Sequence, residues 1–274
     1  MPTETKVSLG KLPPRFDART LRLGTYFTQQ LPSPPQSVDY SAAVPNWPVM
    51  LNDKLPDCVP AAAGHMIQAW TANAGNMTIL TDQQIEDAYK YFSPSEKSGV
   101  VVLDFLNYWR VYGVAGDNIA AFAKLELQNQ GQVQNTVFLF GSCCIGVALP
   151  NYVIKVPDRI AAPWELPDPG AVSVQDAAPN QHNGHCVVAV AYDSMYIYTV
   201  SWGRVKKMSW PFYMQYCDEA YAVLSNDWIS KTLGTSPSGL DFATLQQDLT
   251  SITNSFSLLG NTLNWPDRSH LKSS

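Results

Sequence analysis

The stretch "LNDKLPDCVPAAAGHMIQAW", residues 51–70, sets a cysteine after a Pro-Asp step and directly before a run of helix formers. A free cysteine is among the most buried residue types, so the ordinary reading of Cys58 is a small core residue. Its position argues for more. Asp57 reads as an N-cap and Pro60 falls in the first turn, so a helix over Val59 to Ala72 begins at or beside Cys58. A thiol there feels the positive end of the helix dipole and unsatisfied N–H groups, both of which favour thiolate.

A nucleophilic cysteine needs a base, and the four histidines are His65, His182, His185 and His270. His65 stands two turns along the same helix, about 10 Å from Cys58 by helical rise, and reads as a helix-face or core residue. His270 lies in a polar tail. In "NQHNGHCVV" His182 precedes a strand, whereas His185 opens it after Gly184, where loops build clefts. His185 is the best base. Zinc on "HNGHC" is disfavoured, because His182 and His185 would face opposite sides of a strand and Cys186 would face away from His185. No metal and no cofactor is expected.

Composition narrows the classes of function. The 274 residues allow one large domain or two modest ones, with 46% hydrophobic residues and a net charge of −5. The 18 basic residues are dispersed, so there is no footprint for nucleic acid or anionic lipid. No apolar run approaches the roughly 18 residues that cross a bilayer, and "MPTETKVSLGKLPPRFDART" lacks the apolar core of a signal peptide. A cytoplasmic setting is the expectation. The five cysteines, Cys58, Cys143, Cys144, Cys186 and Cys217, show no disulfide-framework spacing and read as reduced.

Residues 1–37 are rich in Pro, Arg and Thr without a sustained period and read as an irregular arm on the domain. Residues 38–229 read as the catalytic domain, with a helical half over about 38–115. In that half "LTDQQIEDAYKYF" opens on a Thr81/Gln84 capping box, and "VVLDFLNYWRVYG" ends on Gly113. The second half, about 116–229, reads as β-rich: "TVFLFGSCCIGVAL", "HCVVAVAY", "MYIYTVSW" and "EAYAVLS" are strand-like, and Asp193-Ser194 is a hairpin turn. A helical half followed by an antiparallel half is α+β, with the natural cleft between them. Residues 230–274 read as a linker and an amphipathic helix in "LDFATLQQDLTSITNSF".

This order of elements resembles the papain-like cysteine proteases. Val38-Asp39-Tyr40, Pro48-Val49, Leu51-Asn52 and Cys58 are similar to that family's Val-Asp-Trp, Pro-Val, Asn-Gln and nucleophile, with matching spacing from Pro to Cys. "LTDQQIEDA" is similar to its "LSEQ-LVDC" helix, and "GVVVLDFLNYW" to its glycine-led segment. His185-Cys186-Val187 and Ser201-Trp202-Gly203 resemble its His-Ala-Val and Ser-Trp-Gly strands, so the likeness spans about 38–225. The member implied is divergent and of bacterial type.

The resemblance implies a papain-like fold of two subdomains and a cysteine peptidase acting through an acyl-enzyme on Cys58, with His185 as general base and acid. Asn52 would stand for the oxyanion glutamine, and Gly184 and Trp202 would line the substrate cleft. A transpeptidase or amide ligase would use the same acyl-thioester, and a peptide-binding scaffold is the non-catalytic alternative. Three departures stand out. The family's orienting Asn is Val200 here, which leaves Ser201, Thr199 or packing against Trp202 to hold the imidazole, with Ser201 preferred. The disulfide cysteines near the nucleophile are replaced by residues such as Leu55 and Pro56. The long propeptide gives way to the arm at 1–37, which would be placed to occlude the cleft. The expected partner is a peptide or amide substrate.

Overall fold

Thr81 and Gln84 form the reciprocal capping box that starts the second long helix. The computed structural model describes residues 7–26, 33–155, 162–228 and 235–238, all within one compact unit, Met1–Leu240. In chain order the elements are α1 (Leu23–Tyr26), β1 (Val38–Asp39), α2 (Cys58–Asn73), α3 (Asp82–Phe92), α4 (Val102–Tyr112), β2 (Ile119–Lys124), α5 (Gln130–Phe140), β3 (Cys143–Ala148) and α6 (Asn151–Ile154). There follow α7 (Val174–Ala177), β4 (Gly184–Tyr192), β5 (Tyr196–Ser201), β6 (Arg204–Ser209), α8 (Trp210–Tyr216) and β7 (Cys217–Ser225).

α2 is buried on every side from Cys58 to Trp70, which marks it as the central helix of the core. It lies against β4, and its far end is tied by Trp70 Nε1 donating to Phe140 O at 2.8 Å. The sheet runs β2-β7-β3-β4-β5-β6 with every neighbouring pair antiparallel, and β1 adds to β4. Asp193 sets the β4–β5 hairpin by accepting the backbone N–H groups of Met195 and Tyr196, each at 2.7 Å.

The α+β architecture expected from the sequence is the one observed, with three local differences. "TVFLF" is the end of helix α5, not a strand, because Asn129 caps its start and Gly141, in the left-handed region, closes it. Strand β2 precedes that helix, inside the half read as β-rich but outside its strand-like runs, because its alanines weaken the β signal. Asp57 occupies the N-cap position of α2 but makes no capping hydrogen bond. The amphipathic helix expected in 240–256 lies outside the described residues.

Residues 8–12 of the arm pass between the two halves. Gly10 and Lys11 donate their N–H groups to Gly184 O at 3.2 and 3.1 Å, Val100 N donates to Gly10 O at 2.7 Å, and Leu12 N donates to Val100 O at 3.0 Å. The arm is thus held by main-chain bonds to the loop before α4 on one side and to the start of β4 on the other. Gly10 and Gly184 permit the approach: a Cβ on Gly10 would stand 1.9 Å from Pro56 O, and one on Gly184 would stand 2.1 Å from Lys11 O.

Candidate active site

Cys58 is the first residue of α2 and His185 the second of β4, and that helix packs on that strand. The backbones of Cys186 and Gly10 lie close to the Cys58 sulfur, which sets the thiol beside the residue following His185 and against the arm. Cys58 is 2% exposed and His185 1%.

His185 Nε2 lies 2.9 Å from Ser201 Oγ at the end of β5. The ring stacks on Trp202 with centroids 4.3 Å apart and planes 17° from parallel, and the edge of Trp164 closes a third side at 6.4 Å. Trp202 takes a positive φ of 48°, an uncommon conformation for a bulky residue, and its Nε1 donates to Ser8 O of the arm at 3.1 Å. Of the residues weighed to hold the imidazole, Ser201 and Trp202 do so in the structure. Thr199 is turned to Lys206 O, and Val200 is buried in the sheet opposite Val188 and Val205. With Nε2 paired, Nδ1 is the nitrogen left buried without a partner.

Asn52 is buried near the start of α2, but both protons of its amide are committed: Nδ2 donates to Asp57 Oδ1 at 3.1 Å and to Leu55 O at 3.3 Å. Asp57 Oδ2 has no hydrogen-bond partner, and burial pushes the Asp57 carboxyl up to about 7. The Gly184 carbonyl carries the arm.

Burial acts on both groups. Burial drives the Cys58 thiol well above its ordinary range. Burial, with Lys206 and Lys11 nearby, pushes His185 down to about 3. Cys and His are therefore both neutral beneath the arm, whereas the helix dipole alone suggested a thiolate. The cost of taking both ions out of water outweighs their mutual attraction.

His65 is a core residue, its Nε2 2.8 Å from Pro48 O. His182 is exposed on a short turn before β4. Among the described residues no group of three or more His, Cys, Asp and Glu could hold a metal ion. All five cysteines are free. Among the described residues no helix is long and apolar enough to cross a membrane.

The reading from residues missed one cluster. Lys11 is fully enclosed, with Nζ 3.0 Å from Asp218 Oδ2 and 3.4 Å from Glu219 Oε1. Its partners lie more than two hundred positions away, beyond local pattern; the available signal was an acidic pair opening an otherwise apolar strand, "CDEAYAVL".

Comparison with solved structures identifies the fold. The chain superimposes on xylellain, a cysteine protease from Xylella fastidiosa, with a TM-score of 0.60 at 12% identity, covering 82% of this chain and 98% of that one. The chain has the papain-like fold. Likeness extends to the cysteine protease and lectin-like domains of Cwp84 from Clostridium difficile, with a TM-score of 0.54 and 12% identity over 81% of this chain and 57% of that one. Digestive procathepsin L 3 of Tenebrio molitor gives 0.51 at 15% identity, covering 80% of this chain and 77% of that one. No family model matches the sequence, and no curated protein is similar enough in sequence to be matched. Within the papain-like fold, Cys58 heads the central helix and His185 stands on the facing strand.

Proposed function

We propose that the chain is a thiol peptidase held latent by its own arm, and that Cys58, His185 and Ser201 carry the chemistry. The observation that supports this most is the imidazole itself: His185 is paired through Nε2 to Ser201, stacked on Trp202, and left with one unpartnered nitrogen on the strand that meets Cys58. A binding scaffold gains nothing from a buried, unsatisfied imidazole nitrogen, whereas a general base requires one.

With the arm withdrawn, solvent reaches the pair. His185 Nδ1 takes the Cys58 proton while Nε2–H donates to Ser201 Oγ, and the thiolate attacks the substrate carbonyl carbon. The oxyanion that forms is met by the backbone N–H of Cys58 at the helix N-terminus. As the C–N bond breaks, the imidazolium returns the proton to the leaving amine, and a thioester remains on Cys58. Water, deprotonated by His185, then releases the acid. An amine in place of water would make the same site a ligase. Asn52 joins the oxyanion hole only if its amide leaves Asp57, and that transfer would be part of opening.

The test is hydrolysis of a defined peptide pool, read by mass spectrometry, using the full chain carrying Gly10→Ala to dislodge the arm. Cleavage that disappears with Cys58→Ala, and shifts to transamidation with added amine, is the expected result. An intact pool under conditions in which Cys58 is open to small alkylating agents overturns the peptidase reading.

A further inference from the structure

The hold of the arm on the cleft centres on one side chain. Burying an ammonium is costly unless its partners are charged and close, and here two carboxylates meet Lys11 while Leu12 O accepts a third bond at 3.2 Å. The pocket is constructed for a cation. A register shift between β3 and β7, where Gly146 pairs with Glu219 and Val147 with Cys217, inserts Asp218 as a bulge, and bulges re-aim side chains. That bulge brings two consecutive carboxylates to the same ammonium. Gly146 clears the floor: a Cβ there would stand 2.8 Å from Lys11 Cδ and 2.6 Å from Glu219 Cγ. Tyr221 OH donates to Glu219 Oε2 at 2.9 Å and fixes that carboxylate in place.

The main-chain groups that carry the arm, Gly184 O and the N–H and C=O of Val100, are available to any extended segment. Whatever replaces residues 10–12 inherits both that track and a buried acidic pocket one residue from the contact with Cys58. Resting on the peptidase reading for what happens next, we propose that Lys11 marks a substrate subsite for a basic side chain, formed by Gly146, Asp218 and Glu219, and that the arm blocks the cleft by filling it.

Arginine should be preferred to lysine. Asp218 Oδ1 accepts no hydrogen bond, and Glu219 Oε1 has only the ammonium 3.4 Å away. A guanidinium fork, with five donors in a plane, can satisfy both acceptors where a point charge reaches one well.

The experiment uses the full chain carrying Lys11→Glu, whose arm is expelled by charge, and follows alkylation of Cys58 by mass. Heptapeptides of the arm sequence VSLGKLP are added with Lys, Arg, Met or Glu at the fifth position. The Arg and Lys peptides should restore protection at concentrations about tenfold or more below the Met peptide, the scale of one charge-assisted contact, and the Glu peptide should not protect. Equal protection by Arg and Met peptides, or protection by none, overturns the subsite. Adding Glu219→Gln should erase the preference without abolishing protection by the Met peptide. Cation-selective protection without turnover of any peptide would retain the subsite and overturn the peptidase reading instead.

Discussion

In the proposed peptidase Ser201 takes the place that the resemblance gives to an amide at position 200, and one residue of displacement along β5 decides the chemistry of the contact. A hydroxyl can accept from Nε2–H without a fixed plane, so stacking on Trp202 must supply the orientation that a hydroxyl does not. Ser201→Ala should lower kcat by about tenfold to a hundredfold with KM nearly constant, the part of general-base catalysis that depends on orientation, and Ser201→Thr should restore most of it. A loss confined to KM would mean that Ser201 shapes the cleft instead. Asn52 is the other residue with a local consequence. Asn52→Ala removes the donor to Asp57 Oδ1 where Oδ2 already has none, and should cost about 1–3 kcal/mol in urea unfolding. It should also push the Asp57 pKa further up, since that bond is the largest influence opposing burial. An unchanged unfolding midpoint would contradict the pairing.

The elements carry two separable tasks. Helix α3 is ordered locally: the Thr81 hydroxyl accepts Gln84 N at 3.3 Å and Gln84 Oε1 accepts Thr81 N at 2.9 Å, so Thr81→Ala should cost about 1 kcal/mol in thermal unfolding and leave Cys58 reactivity unchanged. The arm does the reverse. Its grip is main-chain bonding plus Lys11, and Gly10→Ala would drive a methyl into Pro56 O. That variant should accelerate Cys58 alkylation by about tenfold or more while changing global stability little, because edge-paired segments open at the low end of the stability range. Equal alkylation rates in the two chains would show that the arm does not control access.

At the scale of the whole molecule, buried ionisable groups set opposing acid responses. His185 and His65 are pushed by burial to about 3 and 4 from 6.5, so the unfolded chain takes up protons that the native one refuses, and stability is lost as pH falls from 6.5 toward 4. Asp57, raised from 3.8 to about 7, has the opposite sign: its contribution is present at low pH and is lost as pH rises through 7. Asp57→Asn removes that term, so the decline in Tm between pH 6.5 and 4 should become steeper; a shallower decline would contradict the assignment.

Much of this molecule was legible in its residues. The capping box, the start of α2 at Cys58, the Asp193 turn and the order Cys58, His185, Ser201, Trp202 all rest on local chemistry or on motif order. The helix over Gln130–Phe140 was hidden because β-branched and aromatic residues fit either state until caps decide. The Lys11 pocket and the commitment of Asn52 to Asp57 were hidden because each depends on what folding brings together or excludes from water. The neutral Cys58 and His185 belong to the same class, since a dipole acts along one helix whereas burial is a property of the whole packing.

The central claim is that Cys58 and His185 form an ionisable pair that the arm silences, and the most direct test is the pH dependence of Cys58 alkylation by iodoacetamide. It would be measured in the unaltered chain, in Gly10→Ala, and in Gly10→Ala with His185→Ala, with Cys58→Ala as control. The prediction is slow labelling of the unaltered chain, fast labelling of Gly10→Ala near pH 5–6, and loss of that fast phase without His185. Labelling that rises in all three chains only above about pH 8, as for an ordinary thiol, would contradict it.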